Sequence, residues 1–157
     1  MKKLIIISII SAVLLGLKFF FIRPANPDVR LKLKLIKEEL ISKGYSPKWF
    51  IISGKRDEIL TALSYNNVKK GSYHLKGKAI DIEVIDIDGD FDFDASDIRI
   101  FETANAEVER DNPNLRGALG TYLGPNSDWL EKHQIHIDTR GKSKRYNTCL
   151  LYTSDAA

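Results

Sequence analysis

From Leu4 to Ile22 the chain is apolar except at Ser8, Ser11, Gly16 and Lys18, and Lys2 and Lys3 precede it. At about 1.5 Å per residue such a run makes a helix of about 28 Å, close to the hydrocarbon thickness of a bilayer. Lys18 is no obstacle, because it can snorkel from the outer end. A core helix does not suit a run that is apolar on every side at the extreme terminus. Two readings remain: an uncleaved signal anchor, and a secretory signal peptide. The anchor is favoured, since Arg23 stands where cleavage wants a small residue. In both cases the rest of the chain is exported, and an anchored domain faces the periplasmic or extracellular side.

Beyond Arg23 the period changes. Within PDVRLKLKLIKEELISKGYSP, Leu33, Leu35, Ile36, Leu40 and Ile41 recur at mostly helical spacing, with Pro27 and Asp28 as start signals and Gly44 and Pro47 as stops. KWFIISG predicts a short buried strand ending at Gly54, and RDEILTALSYN a second helix. From Ala79 the chain alternates: Ile80, Ile82 and Val84 face one way, Ala79, Asp81 and Glu83 the other, as in a half-buried strand. IDIDGDFDFD carries Asp88-Gly89 between two alternating runs, a hairpin signal. DASDIRIFETANAEVERDNP predicts a helix capped by Asp94 or Ser96. RGALGTYLG and HQIHIDTRG close the domain as strands or strand-like loops. No repeat or low-complexity segment interrupts the pattern.

At 157 residues the chain has room for one domain and a short extra segment. The expected division is 1–25 for the anchor or signal, 26–146 for the domain, and 147–157 for a non-native tail, because TCLLYTSDAA resembles the translation of a sequencing-library adapter. Cys149 is the only cysteine and falls in that tail, which excludes disulfides and cysteine catalysis from the domain. The net charge of +3 is too small to point to nucleic acid, and suits an anionic partner such as a membrane surface or cell-wall polymer. A monomer is expected.

The candidate chemistry lies in GSYHLKGKAIDIEV. His74 and Asp81 are residue types that ligate zinc, which takes imidazole and carboxylate donors at about 2.0 to 2.2 Å and keeps one position open in a catalytic site. Gly77 lets the backbone turn between them. The natural third ligand is His136, which alternates with Ile135 and Ile137 and so projects away from the apolar face, as does Asp138. On spacing alone, a packed or exposed histidine is the commoner case.

The motifs add a resemblance. SYHLKGKAID is similar to the Ser-x-His-x-x-Gly-x-Ala-x-Asp signature of the zinc D-alanyl-D-alanine carboxypeptidase family, which includes L-alanyl-D-glutamate endopeptidases and is distantly related to the hedgehog signalling domain. HIDTRG resembles that family's second metal motif, SGKR its Ser-Gly-x-Arg segment, and GALGTY the Gly-rich stretch before the last ligand. The likeness spans residues 30 to 142. It implies an α+β fold, with helices packed on a small antiparallel sheet whose polar face holds the zinc. It implies His74, Asp81 and His136 as ligands, and Arg56 and Ser72 as substrate-binding residues, with the Arg56 guanidinium forking onto a substrate carboxylate. The implied reaction is hydrolysis of a peptide bond in peptidoglycan stem peptides.

The general base fits less well. Relatives commonly carry a glutamate three residues before the last histidine ligand, where this chain has His133. A neutral imidazole can take a proton, although strict alternation turns His133 to the face of Ile135, unless the strand begins after it. Glu131 and Asp138 are the other candidates, and Asp138 can equally orient a ligand. DIDGDFDFDASD does not fit an EF-hand, since Gly89 is fourth from Asp86 rather than sixth. Two functions follow: a cell-wall zinc peptidase, or a catalytically silent zinc module docking on cell wall or protein.

Overall fold

A computed structural model describes residues 24–56, 72–122 and 132–147. The expected anchor, the helix expected after Arg56, Glu131 and most of the expected tail lie outside these residues. Among the described residues no helix is long and apolar enough to cross a membrane.

Helix α1, Pro27–Ser42, forms where Pro27 supplies a pre-set φ at the first turn. Val29, Leu33, Ile36 and Leu40 form its buried stripe, whereas Ile41 is exposed. Gly44 ends it at φ +88°, and the Tyr45 amide closes back on Leu40 O at 3.1 Å. Helix α2, Ala95–Asp111, begins with a capping box: the Asp94 carboxylate accepts from the Ser96 amide and Asp97 accepts from the Asp94 amide at 2.9 Å. Its Ile98, Phe101, Ala104 and Val108 are buried. Both helices and the sheet contribute to one apolar core, where Trp49 meets Phe101 edge to face at 5.8 Å.

The strands are β1 Lys48–Ser53, β2 Ala79–Asp86, β3 Ala118–Thr121, β4 Gln134–Asp138 and β5 Lys144–Asn147, in the sheet order β1-β2-β4-β3-β5. The class is α+β, but the sheet is mixed rather than antiparallel as expected, because β3 and β5 run parallel. After β4 the chain turns through Gly141 at φ +89°. The Gly141 amide donates to Arg116 O and the Lys144 amide to Gly117 O, which lays β5 along the outer edge of β3.

Three further expectations change. Strand β1 is not buried: it is an edge strand, paired only with β2 among the described residues, and Phe50 and Ile51 are 59% and 42% exposed. No hairpin forms at Asp88-Gly89. Strand β2 stops at Asp86 and the next seven residues bend toward α2. Asp86 accepts from the Gly89 amide, Asp88 from Asp90, Asp90 from Asp92, and Asp92 from Phe93. These carboxylates take the N–H groups that a returning strand would have paired. Strand β2 is also more deeply buried than expected. Ile80, Ile82 and Val84 enter the core, and Asp81 is only 8% exposed on the opposite face.

Candidate metal centre

Three donor atoms converge on the polar face of the sheet, and local chain geometry explains each. Asp81 and His136 are cross-strand partners in the antiparallel β2–β4 pair, so strand alternation brings both side chains to the same face. His74 arrives from the turn before β2. That turn closes by the Gly77 amide to His74 O at 3.0 Å and the Lys78 amide to Tyr73 O at 2.9 Å. Gly77 sits at φ +69°, and a Cβ there would lie 2.8 Å from Asn26 Oδ1. The turn therefore favours glycine for its conformation, and a side chain there would also have to displace the Asn26 amide.

His74 Nε2 lies 3.1 Å from Asp81 Oδ1 and 3.2 Å from His136 Nδ1, and His136 Nδ1 lies 2.7 Å from Asp81 Oδ1. These atoms and their residues form a group able to hold a metal ion. Donors at ordinary zinc distances in a tetrahedron are about 3.3 Å apart, so the spacing suits one ion with a fourth position left over. The hydrogen bonding on the far side of each ring suits it too. His74 Nδ1 lies 2.9 Å from Gly54 O, which can only accept, so Nδ1 donates there and Nε2 is the nitrogen turned toward the cluster. His136 Nε2 faces Asp138 Oδ2 at 3.5 Å, the arrangement that orients a ligating histidine. The donor atoms converge on one point beside a carboxylate, and a cation is what such a cluster accommodates. Zinc fits.

The electrostatics agree. Burial penalises the Asp81 carboxylate, but hydrogen bonds with His136 and His74 outweigh this and hold it well below the usual range. Burial likewise disfavours the His136 cation, yet the hydrogen bonds to Asp138 and Asp81 push its pKa up to about 9. A proton and a metal ion thus compete for the same site. Asp138 is fully buried and acidic for a similar reason: burial opposes its charge, while His136, Arg140 and the Ala118 amide favour it.

The other candidate residues are less uniformly placed. Arg56 lies at the site, donating from Nε to Ser53 Oγ at 2.8 Å and from Nη2 to Asp81 Oδ2 at 2.6 Å. The second oxygen of Asp81 is thereby occupied and Oδ1 is left to the cluster. Ser72 is half-buried, two residues before His74. Asp138 accepts from the Ala118 amide at 2.7 Å and from Arg140 Nε, so its contacts are those of an orienting group. His133 precedes β4, yet its ring lies 5.5 Å from Phe93, and Nδ1 is 3.3 Å from Val84 O. It sits beside a core residue rather than among the three ligating atoms.

Sequence reasoning missed Gly54 O and Arg140. A backbone carbonyl leaves no mark in residue identity. Arg140 stood within HIDTRG, two positions after Asp138, where a side chain on one strand face recurs. A second carboxylate group, Asp86, Asp88 and Asp97, also comes together. Its oxygens accept from the Ile87, Asp88 and Gly89 amides, and Lys48 pairs with Asp86. They build the turn into α2.

No family model matches the chain, and no curated protein matches it. Among solved structures it is similar to the Serratia marcescens L-Ala D-Glu endopeptidase ChiX, at 17% identity over 74% of this chain and 81% of that one, with a TM-score of 0.44. A likeness this loose carries no statement about activity.

Proposed function

We propose that the domain is a zinc-dependent peptidase that hydrolyses peptide bonds in peptidoglycan stem peptides, of the D,D-carboxypeptidase or L-alanyl-D-glutamate endopeptidase type. The observation that carries this reading is the convergence of His74 Nε2, Asp81 Oδ1 and His136 Nδ1 from the two motifs that resemble the zinc carboxypeptidase family. Zinc bound there supplies Lewis-acid polarisation of a carbonyl and activation of water. Gly54 O and Asp138 fix the two rings, so the donor atoms are aimed before the ion arrives. Arg56 stands beside them and would meet a substrate carboxylate by exchanging its bond to Asp81. His133 is the proton acceptor suggested by its place in the motif, and that role requires its ring to leave Phe93. Residues 4 to 22 would anchor the domain on the outer side of a membrane.

One observation favours a second reading. With His133 against Phe93 and Arg56 bound to Asp81, the chain can hold zinc without catalysing, as a module that docks on cell wall or protein. Incubating the zinc-loaded full chain with defined muropeptides and weighing the products separates the two. A mass loss matching cleavage of one stem-peptide bond supports the peptidase. Intact muropeptides with zinc stoichiometrically bound support the module.

A further inference from the structure

Where α1, α2 and the end of β4 meet lies a charged pair that the proposed chemistry does not use. Lys32 has no exposed surface, and its Nζ donates to Glu109 Oε1 at 2.7 Å and to Asp138 O at 3.0 Å. Glu109, 3% exposed, also accepts on Oε1 from the Gly117 amide at 3.1 Å and from Asn105 Nδ2 at 3.3 Å, and on Oε2 from Ser143 Oγ at 2.5 Å. A buried ion pair often gains nothing over apolar residues of the same volume. Its significance here lies in the main-chain groups it holds: Asp138 O at the end of β4, and Gly117 N–H at the start of β3.

Those two points are in direct backbone contact. A Cβ on Gly117 would fall 1.7 Å from Asp138 O, so β3 can approach β4 only because residue 117 has no side chain. The approach brings the Ala118 amide to Asp138 Oδ1 at 2.7 Å, and the same carboxylate faces His136 Nε2 at 3.5 Å. The buried pair is thus joined to a ligating histidine through Asp138, whose carbonyl and carboxylate are each clamped.

We propose that Lys32 and Glu109 are a positioning pair that acts through Asp138 to aim the His136 imidazole at the metal. The inference rests on the zinc-site reading of His74, Asp81 and His136. A purely structural pair would change stability alone, whereas a positioning pair changes metal affinity in a way that depends on the Asp138 carboxylate.

The test is a double-mutant cycle on the full chain in detergent, with zinc affinity read by competition against a chromophoric chelator and folding by circular dichroism. Lys32→Met and Asp138→Asn should each weaken zinc binding by about 10- to 100-fold, the range for partners that orient a ligand. The double variant should be no weaker than the weaker single, because both act through one contact. Unchanged affinity in folded Lys32→Met, or additive losses, would overturn the proposal. If Lys32→Met does not fold, Glu109→Gln takes its place in the cycle, since it keeps an acceptor oxygen and removes the charge. Unfolding of both variants would assign the pair to stability alone and equally overturn it. Should the parent chain bind no zinc, the metal reading fails by itself. The ring ¹⁵N–¹H signal of His136 in the metal-free chain then decides: a shift in Lys32→Met sustains positioning, and an unmoved signal refutes it.

Discussion

His74 Nδ1 donates to Gly54 O, and this fixes which nitrogen is presented to an ion. Removing that ring takes away one of the three converging donor atoms, and Asp81→Asn takes away the negative charge among them. His74→Ala and Asp81→Asn should therefore reduce bound zinc from about one per chain to near none in metal analysis of the purified full chain. Full occupancy in both would remove them from the ligand set. Arg56→Lys keeps the charge but loses the planar fork that reaches Ser53 and Asp81 together. It should leave zinc bound and lower kcat/KM on muropeptides; unaltered kinetics would return Arg56 to a purely structural role at Asp81. That Asp81 and His136 would share a face was legible in the sequence because strand alternation marks it, whereas His74 was brought to them by a turn. The direction of His133 was only half legible: alternation pointed it toward the face of Ile135, and its place beside Phe93 depends on a loop whose path the residues do not announce.

Elements here are set by where backbone N–H groups find acceptors. The turn before β2 needs a positive φ at residue 77, and a Cβ there would push on the Asn26 side chain, so Gly77→Ala should destabilise the fold by about 1 to 3 kcal/mol. Urea unfolding measures this, and a loss within error of zero would mean that the turn relaxes. The same variant should weaken zinc binding, since the turn carries His74. The amphipathic helices were legible because a stripe such as Val29, Leu33, Ile36 and Leu40 is a local property of spacing. The hairpin was misread because Asp-Gly is permissive rather than compelling. Alternate aspartates offered side-chain acceptors to amides two or three residues away, and the chain turned into a helix cap instead.

At the scale of the whole molecule the buried carboxylates tie the fold to pH. Burial raises the pKa of Glu109, but hydrogen bonds from Lys32 and Ser143 outweigh it, leaving the group more acidic than an ordinary glutamate. A depressed folded-state pKa means that the unfolded chain binds the proton first. The stabilisation is therefore complete above about pH 4.5 and is lost as pH falls through the lower folded value. Urea midpoints should drop between pH 6 and pH 3, and Glu109→Gln should flatten that slope. An identical slope in the variant would show that the dependence comes from other carboxylates. The apolar run from Leu4 to Ile22 leads to a separate expectation. The chain should fractionate with membranes, resist alkaline carbonate and retain its first residues. A released form beginning near Asn26 would establish cleavage instead.

The sequence by itself determined what depends on local period and residue type. It marked the helices at 27–42 and 95–111, the alternating strand carrying Asp81, and the three side chains that converge, with a glycine among them. Tertiary structure alone decided the rest. It made β3 and β5 parallel neighbours, placed β1 at an edge, and assigned the Asp138 carboxylate to His136, Ala118 and Arg140. It also drew Lys32 and Glu109, 77 positions apart, into one buried contact beneath the candidate metal site. The physical reason is the range of the interactions. Period and propensity act over a few residues, whereas pairing at a sheet edge and compensation of a buried charge depend on which distant groups the closed chain brings within hydrogen-bond distance.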